Sequence, residues 1–198
     1  MVRLLLQFRP DLRFVEDSMV RLALLMQGAT GGNDETVVNF MNMVHAGIFL
    51  DFFCMRWSYM HMRFDFFEKI VHERLPLVFE HFSLLNITTD MYLRPWLLTG
   101  FSKVLPLRSA LRVWDGFVLL GEAHLFSVAI GLLTLMEHRL MTQTFAGCID
   151  ILTGKKIHDS KKLFKLVHDR PVSCSRLAAW LATQILAEEK QTLYDLLV

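Results

Sequence analysis

Residues 92–133 read YLRPWLLTGFSKVLPLRSALRVWDGFVLLGEAHLFSVAIGLL, and their spacing decides the fold class. Thr88-Thr89-Asp90 offer helix caps just upstream, and Trp96, Leu97, Phe101 and Val104 then recur at helical steps until Pro106 stops the run. Beyond Pro106, Leu111, Trp114 and Val118 fall on one face of a second helix, and Gly121 punctuates the chain. Leu125 to Met136 is almost wholly apolar, which predicts a core helix. Nothing in the block shows the two-residue alternation of a half-buried strand.

The same period extends in both directions, so the fold class is all-α. Upstream, Val15, Met19, Leu22 and Met26 make one stripe, broken between Gly28 and Asp34. Asp34 caps a segment in which Val37, Phe40, Met41 and Val44 share a face. Its continuation to Met62 is so rich in Phe and Met that a central helix is expected. Phe66, Phe67, Ile70 and Val71 form a further stripe, ended near Leu75 by Pro76. Downstream, weaker amphipathic segments surround Phe145 to Leu152 and Leu163 to Val167. Leu177, Trp180, Leu181 and Ile185 predict a closing helix over Arg176 to Leu186. No repeat, low-complexity tract or linker interrupts the pattern, so residues 1–198 read as one domain.

Composition narrows the function classes. At 53% hydrophobic and 21% charged, 198 residues bury a substantial core, and a net charge of +1 gives no broad attraction to nucleic acid or anionic lipid. Phe117 to Met136 is long enough to span a bilayer, but Glu122 and His124 interrupt it, as expected of a solvated turn between two helices. Leu4-Leu5-Leu6 is too short for a signal-peptide core. Cys54, Cys148 and Cys174 are odd in number and widely spaced, the usage of buried thiols in a reducing cytoplasm.

Motifs for chemistry are sparse. His72-Glu73 starts like a zinc-protease motif, but Pro76 occupies the second histidine's place one turn on, and the eight histidines show no other ligand spacing. Gly31-Gly32 lacks the Lys-Ser/Thr continuation that holds phosphates. Lys155-Lys156, Lys161-Lys162 and Lys165 form a small basic cluster that reads as a solvated helix face. No local nucleophile signature accompanies the Ser, Cys and His residues. No metal, nucleotide or other cofactor is expected.

Trp96, Phe101, Pro106, Arg112-Val113-Trp114-Asp115, Phe117, Gly121 and Leu125-Phe126 taken together resemble the TBC domain, the fold of GTPase-activating proteins for Rab-type small GTPases. In that family a Trp-containing helix, a proline, an Arg-Ile-Trp-Asp-like motif and a glycine follow at closely similar spacing. Leu75-Pro76 with His81, and Arg9-Pro10-Asp11-Leu12, are similar to further family features, so the likeness covers roughly residues 8–155. Trp96, Pro106, Arg112, Trp114, Asp115 and Gly121 have the bulk, stiffness or helical spacing of residues that fix packing rather than react.

The resemblance implies a wholly helical, V-shaped domain that grips a GTP-bound Rab-type GTPase in its groove. This chain would carry the C-terminal two-thirds of that fold, with residues 156–198 as its less recognisable last helices. Catalysis in the family uses an arginine and a glutamine delivered to the nucleotide. The arginine lies in an Ile-x-x-Asp-x-x-Arg segment well ahead of the glutamine signature and is expected to be absent here; an arginine finger is worth about 10³ to 10⁵ in rate. The glutamine signature aligns with Phe14-Val15-Glu16-Asp17-Ser18, which puts Glu16 in the glutamine's place. A carboxylate only accepts hydrogen bonds and brings negative charge toward the γ-phosphate. The resulting expectation is a Rab-GAP-like regulator in vesicle trafficking with weak or lost activity, cytoplasmic and peripheral on endomembranes through its GTPase. The alternative is a pseudo-GAP scaffold whose N-terminal face is covered by a protein partner.

Overall fold

The computed structural model describes residues 16–32, 34–45, 47–154, 157 and 159–197. They form eleven helices and, among the described residues, no strand: α1 Glu16–Thr30, α2 Asp34–Val44, α3 Gly47–Phe53, α4 Trp57–Arg74, α5 Pro76–Leu84, α6 Thr89–Leu98, α7 Leu107–Leu120, α8 Glu122–Leu140, α9 Phe145–Gly154, α10 Ser160–Asp169 and α11 Cys174–Leu197. Val15, the Arg9–Leu12 approach and Lys155-Lys156 of the sequence reading lie outside the described residues.

The centre of the bundle is α8, where Leu125 to Leu133, Met136 and Leu140 are buried. It touches α4, α6, α7, α9, α10 and α11. A helix apolar on every side has to be surrounded, and this one is. The Asp34–Met62 segment is not the single central helix that its composition suggests. It is divided into α2, α3 and the start of α4, with α2 and α3 bent by 79°. Met55 breaks the second junction by adopting φ 53°, so that the Arg56 amide donates to the Asp51 carbonyl and the chain re-enters as α4.

A second correction concerns α6, which was expected to run on to Pro106. It ends at Leu98, because Gly100 and Phe101 both take positive φ, 54° and 62°, and the Phe101 amide turns back to the Trp96 carbonyl. The reversal places the Phe101 ring in the core, fully buried. On α7 the buried face is Ala110, Val113 and Trp114 with Phe117 half-buried, whereas Val118 is 76% exposed. At 3.6 residues per turn, Leu111 and Val118 sit about a quarter-turn off that face. Pro76 stands at the first position of α5, as the sequence reading has it.

α11 is longer than Arg176–Leu186 and docks along α4. The Trp180 indole N–H donates to the Met62 carbonyl at 2.9 Å, the Lys69 ammonium lies 5.4 Å from the Trp180 ring, and Arg176 clasps Glu73 through both carboxylate oxygens. Of the cysteines, Cys148 is buried and Cys54 half-buried, but Cys174 is exposed at the start of α11, contrary to the expectation of three buried thiols. Among the described residues no single helix is long and apolar enough to cross a membrane.

Candidate functional site

The residues singled out in the sequence converge on the joint between α6, α7 and α8. Trp96 is buried on α6 and its indole N–H donates to the Leu152 carbonyl at 2.7 Å, which ties α6 to α9. Pro106, with φ −58°, caps α7, and its carbonyl accepts the Ser109 and Ala110 amides. Trp114 is buried one layer away, stacked on Phe49 of α3 at 5.2 Å and meeting Phe117 edge-on at 5.6 Å. The Gly100 backbone packs flat against this indole: a Cβ there would lie 2.5 Å from Trp114 Nε1. Gly121, at φ 73° and ψ −163°, links α7 to α8 in a conformation open only to glycine.

Arg112 and Asp115 do not pair with each other. Arg112 lays its guanidinium over the Phe164 ring of α10 at 4.2 Å, and Asp115 is exposed. Both line a groove of about 720 Å³ between α7, α8, α10 and the start of α11, together with Leu120, Phe164, Val167 and Val172. Glu16 is the first residue of α1, a helix that buries Ser18, Leu22 and Leu25 and rests against α6 and α7. The Glu16 side chain lies outside the described residues. The helix that Glu16 begins therefore rests against the two helices that carry Trp96 and Trp114.

Sequence reasoning missed the buried ionic network beside this joint. Arg63, on α4, donates from Nε to Glu122 Oε1 at 2.6 Å and from Nη2 to Oε2 at 3.3 Å. Its Nη1 meets Asp51 Oδ2 at 3.0 Å and donates to the Tyr59 carbonyl at 2.9 Å, while Arg56 reaches Asp51 Oδ1 at 3.3 Å. Burial pushes the Glu122 carboxyl above the usual range, opposed by Arg63 and reinforced by Asp51. The network joins α3, α4 and the first turn of α8, so Glu122 belongs to an ion pair and not to the solvated turn expected of it. The available signal was a charge among apolar neighbours, Asp51 within Ile48–Phe53 and Arg63 between Met62 and Phe64.

Two further groups carry no chemistry of their own. Cys148 Sγ lies 3.9 Å from His81 Nε2, but it donates to the Leu140 carbonyl, and burial raises its thiol pKa, so the thiolate needed of a nucleophile is disfavoured. His124 Nε2 is buried and, among the described residues, has no hydrogen-bond partner; it is pressed against Gly116, where any Cβ would collide with it. Burial holds this imidazole below its ordinary value.

Comparison with known proteins gives one family model, the Rab-GTPase-TBC domain, matching residues 3–141. The chain is 36% identical over 159 residues to TBC1 domain family member 12 of Xenopus tropicalis, covering 79% of this chain and 23% of that protein. It is 35% identical over 147 residues to TBC1 domain family member 14 of Homo sapiens, covering 74% and 21%. Drainin of Dictyostelium discoideum is 27% identical over 157 residues, covering 78% and 35%. The chain thus spans about a quarter of the length of the first two relatives.

Proposed function

The chain belongs to the Rab-GTPase-TBC domain family, and from that premise we propose that it binds and regulates a GTP-bound Rab-type small GTPase in vesicle trafficking, with weak or lost GTPase-activating activity. The observation that carries the reading is the joint of Trp96, Pro106, Trp114 and Gly121, assembled as one support beneath α1. Regulation takes place on the cytoplasmic side of endomembranes, where the GTPase brings the protein.

Reduced activity follows from Glu16 at the head of α1. A glutamine amide accepts from the attacking water and donates toward phosphate, whereas an ionised glutamate can only accept. Two unit charges about 4 Å apart at an effective dielectric near 20 repel by roughly 4 kcal/mol, and that repulsion opposes the transition state. Single-turnover GTP hydrolysis across a panel of Rab proteins tests this: the chain accelerates hydrolysis by less than about tenfold, against about 10⁵ for an activator with its finger in place. Glu16→Gln is expected to raise the rate. Strong acceleration by the unaltered chain, or a fall with Glu16→Gln, rejects the account of this position.

A scaffold reading is favoured by Val20, Leu24 and Val38, which are 41%, 58% and 57% exposed on α1 and α2. Val20 and Leu24 lie one turn apart on α1, and such exposed apolar side chains suit a protein partner. Under this reading the chain binds GTP-loaded Rab without accelerating hydrolysis, and Leu24→Asp abolishes capture of the partner without touching Rab affinity. Loss of Rab binding in Leu24→Asp would place the GTPase itself there.

A further inference from the structure

The groove between α7 and α10 lies beside the joint of Trp96, Pro106, Trp114 and Gly121, and its two ends differ in chemistry. The helices run side by side at Ser109 and Ser160, whose hydroxyls are 2.6 Å apart, and again at Arg112 over Phe164. Past Arg112 the space between them opens into the cavity of about 720 Å³, with α8 beneath it and Val172 and Cys174 at its far end. That volume lies within the range of roughly 300–1,000 Å³ typical of ligand clefts.

Cations gather at the narrow end. Arg108 precedes Arg112 by one turn of α7, and Lys161 and Lys165 share the face of α10 that carries Phe164 and His168 into the groove. All four cations are exposed, and among the described residues none has a carboxylate partner. Asp115 is the one acidic side chain lining the groove, and Asp159 adds a second carboxylate at the narrow end, where it caps α10 by accepting from the Lys162 amide. At the wide end the lining turns apolar, through Leu120, Pro171 and Val172, and Leu120 is itself 58% exposed. Among the described residues, exposed positive charge therefore outnumbers negative charge at one end of the groove, and apolar side chains line the other.

We infer that this groove docks a peptide segment of a partner protein whose acidic half lies over Arg108, Arg112, Lys161 and Lys165 and whose bulky apolar side chains enter the end formed by Leu120, Val167 and Val172. Charge complementarity selects this occupant: inorganic phosphate or nucleic acid would leave the apolar end empty, and a neutral ligand would leave four cations unmatched. A lipid surface is disfavoured because the apolar floor is recessed between two helices, whereas an amphipathic segment reaches into such a groove with spaced anchors.

The test uses the full chain and a fluorescein-labelled peptide of about a dozen residues, acidic in its first half with Leu and Phe at helical spacing in its second, followed by anisotropy. Saturable binding is expected that weakens with salt, and about tenfold or more in Lys161→Glu/Lys165→Glu and again in Leu120→Asp. These substitutions sit on exposed positions, and an unchanged circular dichroism spectrum establishes that the variants fold. Absence of saturable binding, equal affinity for a scrambled peptide, or indifference to both variants overturns the proposal. So does sedimentation with phosphatidylserine vesicles by a chain that ignores the peptide. No GTPase enters the assay, so its outcome is independent of the hydrolysis experiment above.

Discussion

Trp96 and Trp114 stand in the same signature yet hold the fold in different ways. The Trp96 N–H satisfies the buried Leu152 carbonyl at 2.7 Å, whereas Trp114 Nε1 is buried with no acceptor among the described residues and contributes through ring contact. Replacing either by Phe leaves a similar void, but only Trp96→Phe also orphans a carbonyl, a loss of about 1–3 kcal/mol. Urea denaturation is therefore expected to show Trp96→Phe more destabilised than Trp114→Phe by about that difference, and equal losses would discount the hydrogen bond. His124 adds a pH dependence of known sign. Because burial lowers its pKa, the fold accepts the neutral imidazole, and its contribution is complete above the ordinary value of 6.5 and is lost as the pH falls toward the lowered folded value. His124→Asn should flatten the decline in urea midpoint below that pH. A decline of unchanged slope would assign it to other groups.

Between elements, the least replaceable link is Arg63, which holds Asp51 of α3 and Glu122 of α8 to α4. Arg63→Met leaves two carboxylates facing each other in the interior, and breaking a buried pair in this way costs about 3–5 kcal/mol. Glu122 is already raised by burial, so without Arg63 it protonates more readily. The loss should be greatest near neutral pH and shrink on acidification, as unfolding curves at about pH 7 and 4.5 would show; a pH-independent loss would mean that packing, not charge, is at stake. Glu73 behaves oppositely: its hydrogen bond to Arg176 lowers its pKa, so what it adds is present above the unfolded value and fades as the pH falls through the folded one. The helices themselves were largely legible, because long apolar stripes such as Leu125–Met136 leave one way to be buried. Their ends were less so. Met55 and Phe101 look like helix formers, and only tertiary contacts put them at positive φ. Arg63 and Glu122, 59 residues apart, carry no local signal of each other.

At the scale of the molecule, the family match closes at residue 141, while the physical unit continues past it. α10 covers the flank of α8 where Gly131 leaves room: a Cβ there would stand 3.0 Å from Leu163, and Leu163 and Val167 are buried against it. The Ile157 amide donates to the Val104 carbonyl, and Val172 donates to Ser127 Oγ at 2.8 Å, so the connections on both sides of α10 are also anchored. Burial of Leu163, Val167, Val172 and Leu177 is worth about 1.5–3 kcal/mol each, a sum comparable with the whole net stability of a domain, about 5–15 kcal/mol. A chain stopped after Gly154 would expose the apolar side of α8 and lose those terms together. Thermal melting by circular dichroism is thus expected to lose its cooperative transition when the chain is shortened to end at Gly154. A sharp, unshifted melt for the shorter chain would confine the folding unit to the segment that the family model matches, and would make α10 and α11 an appendage.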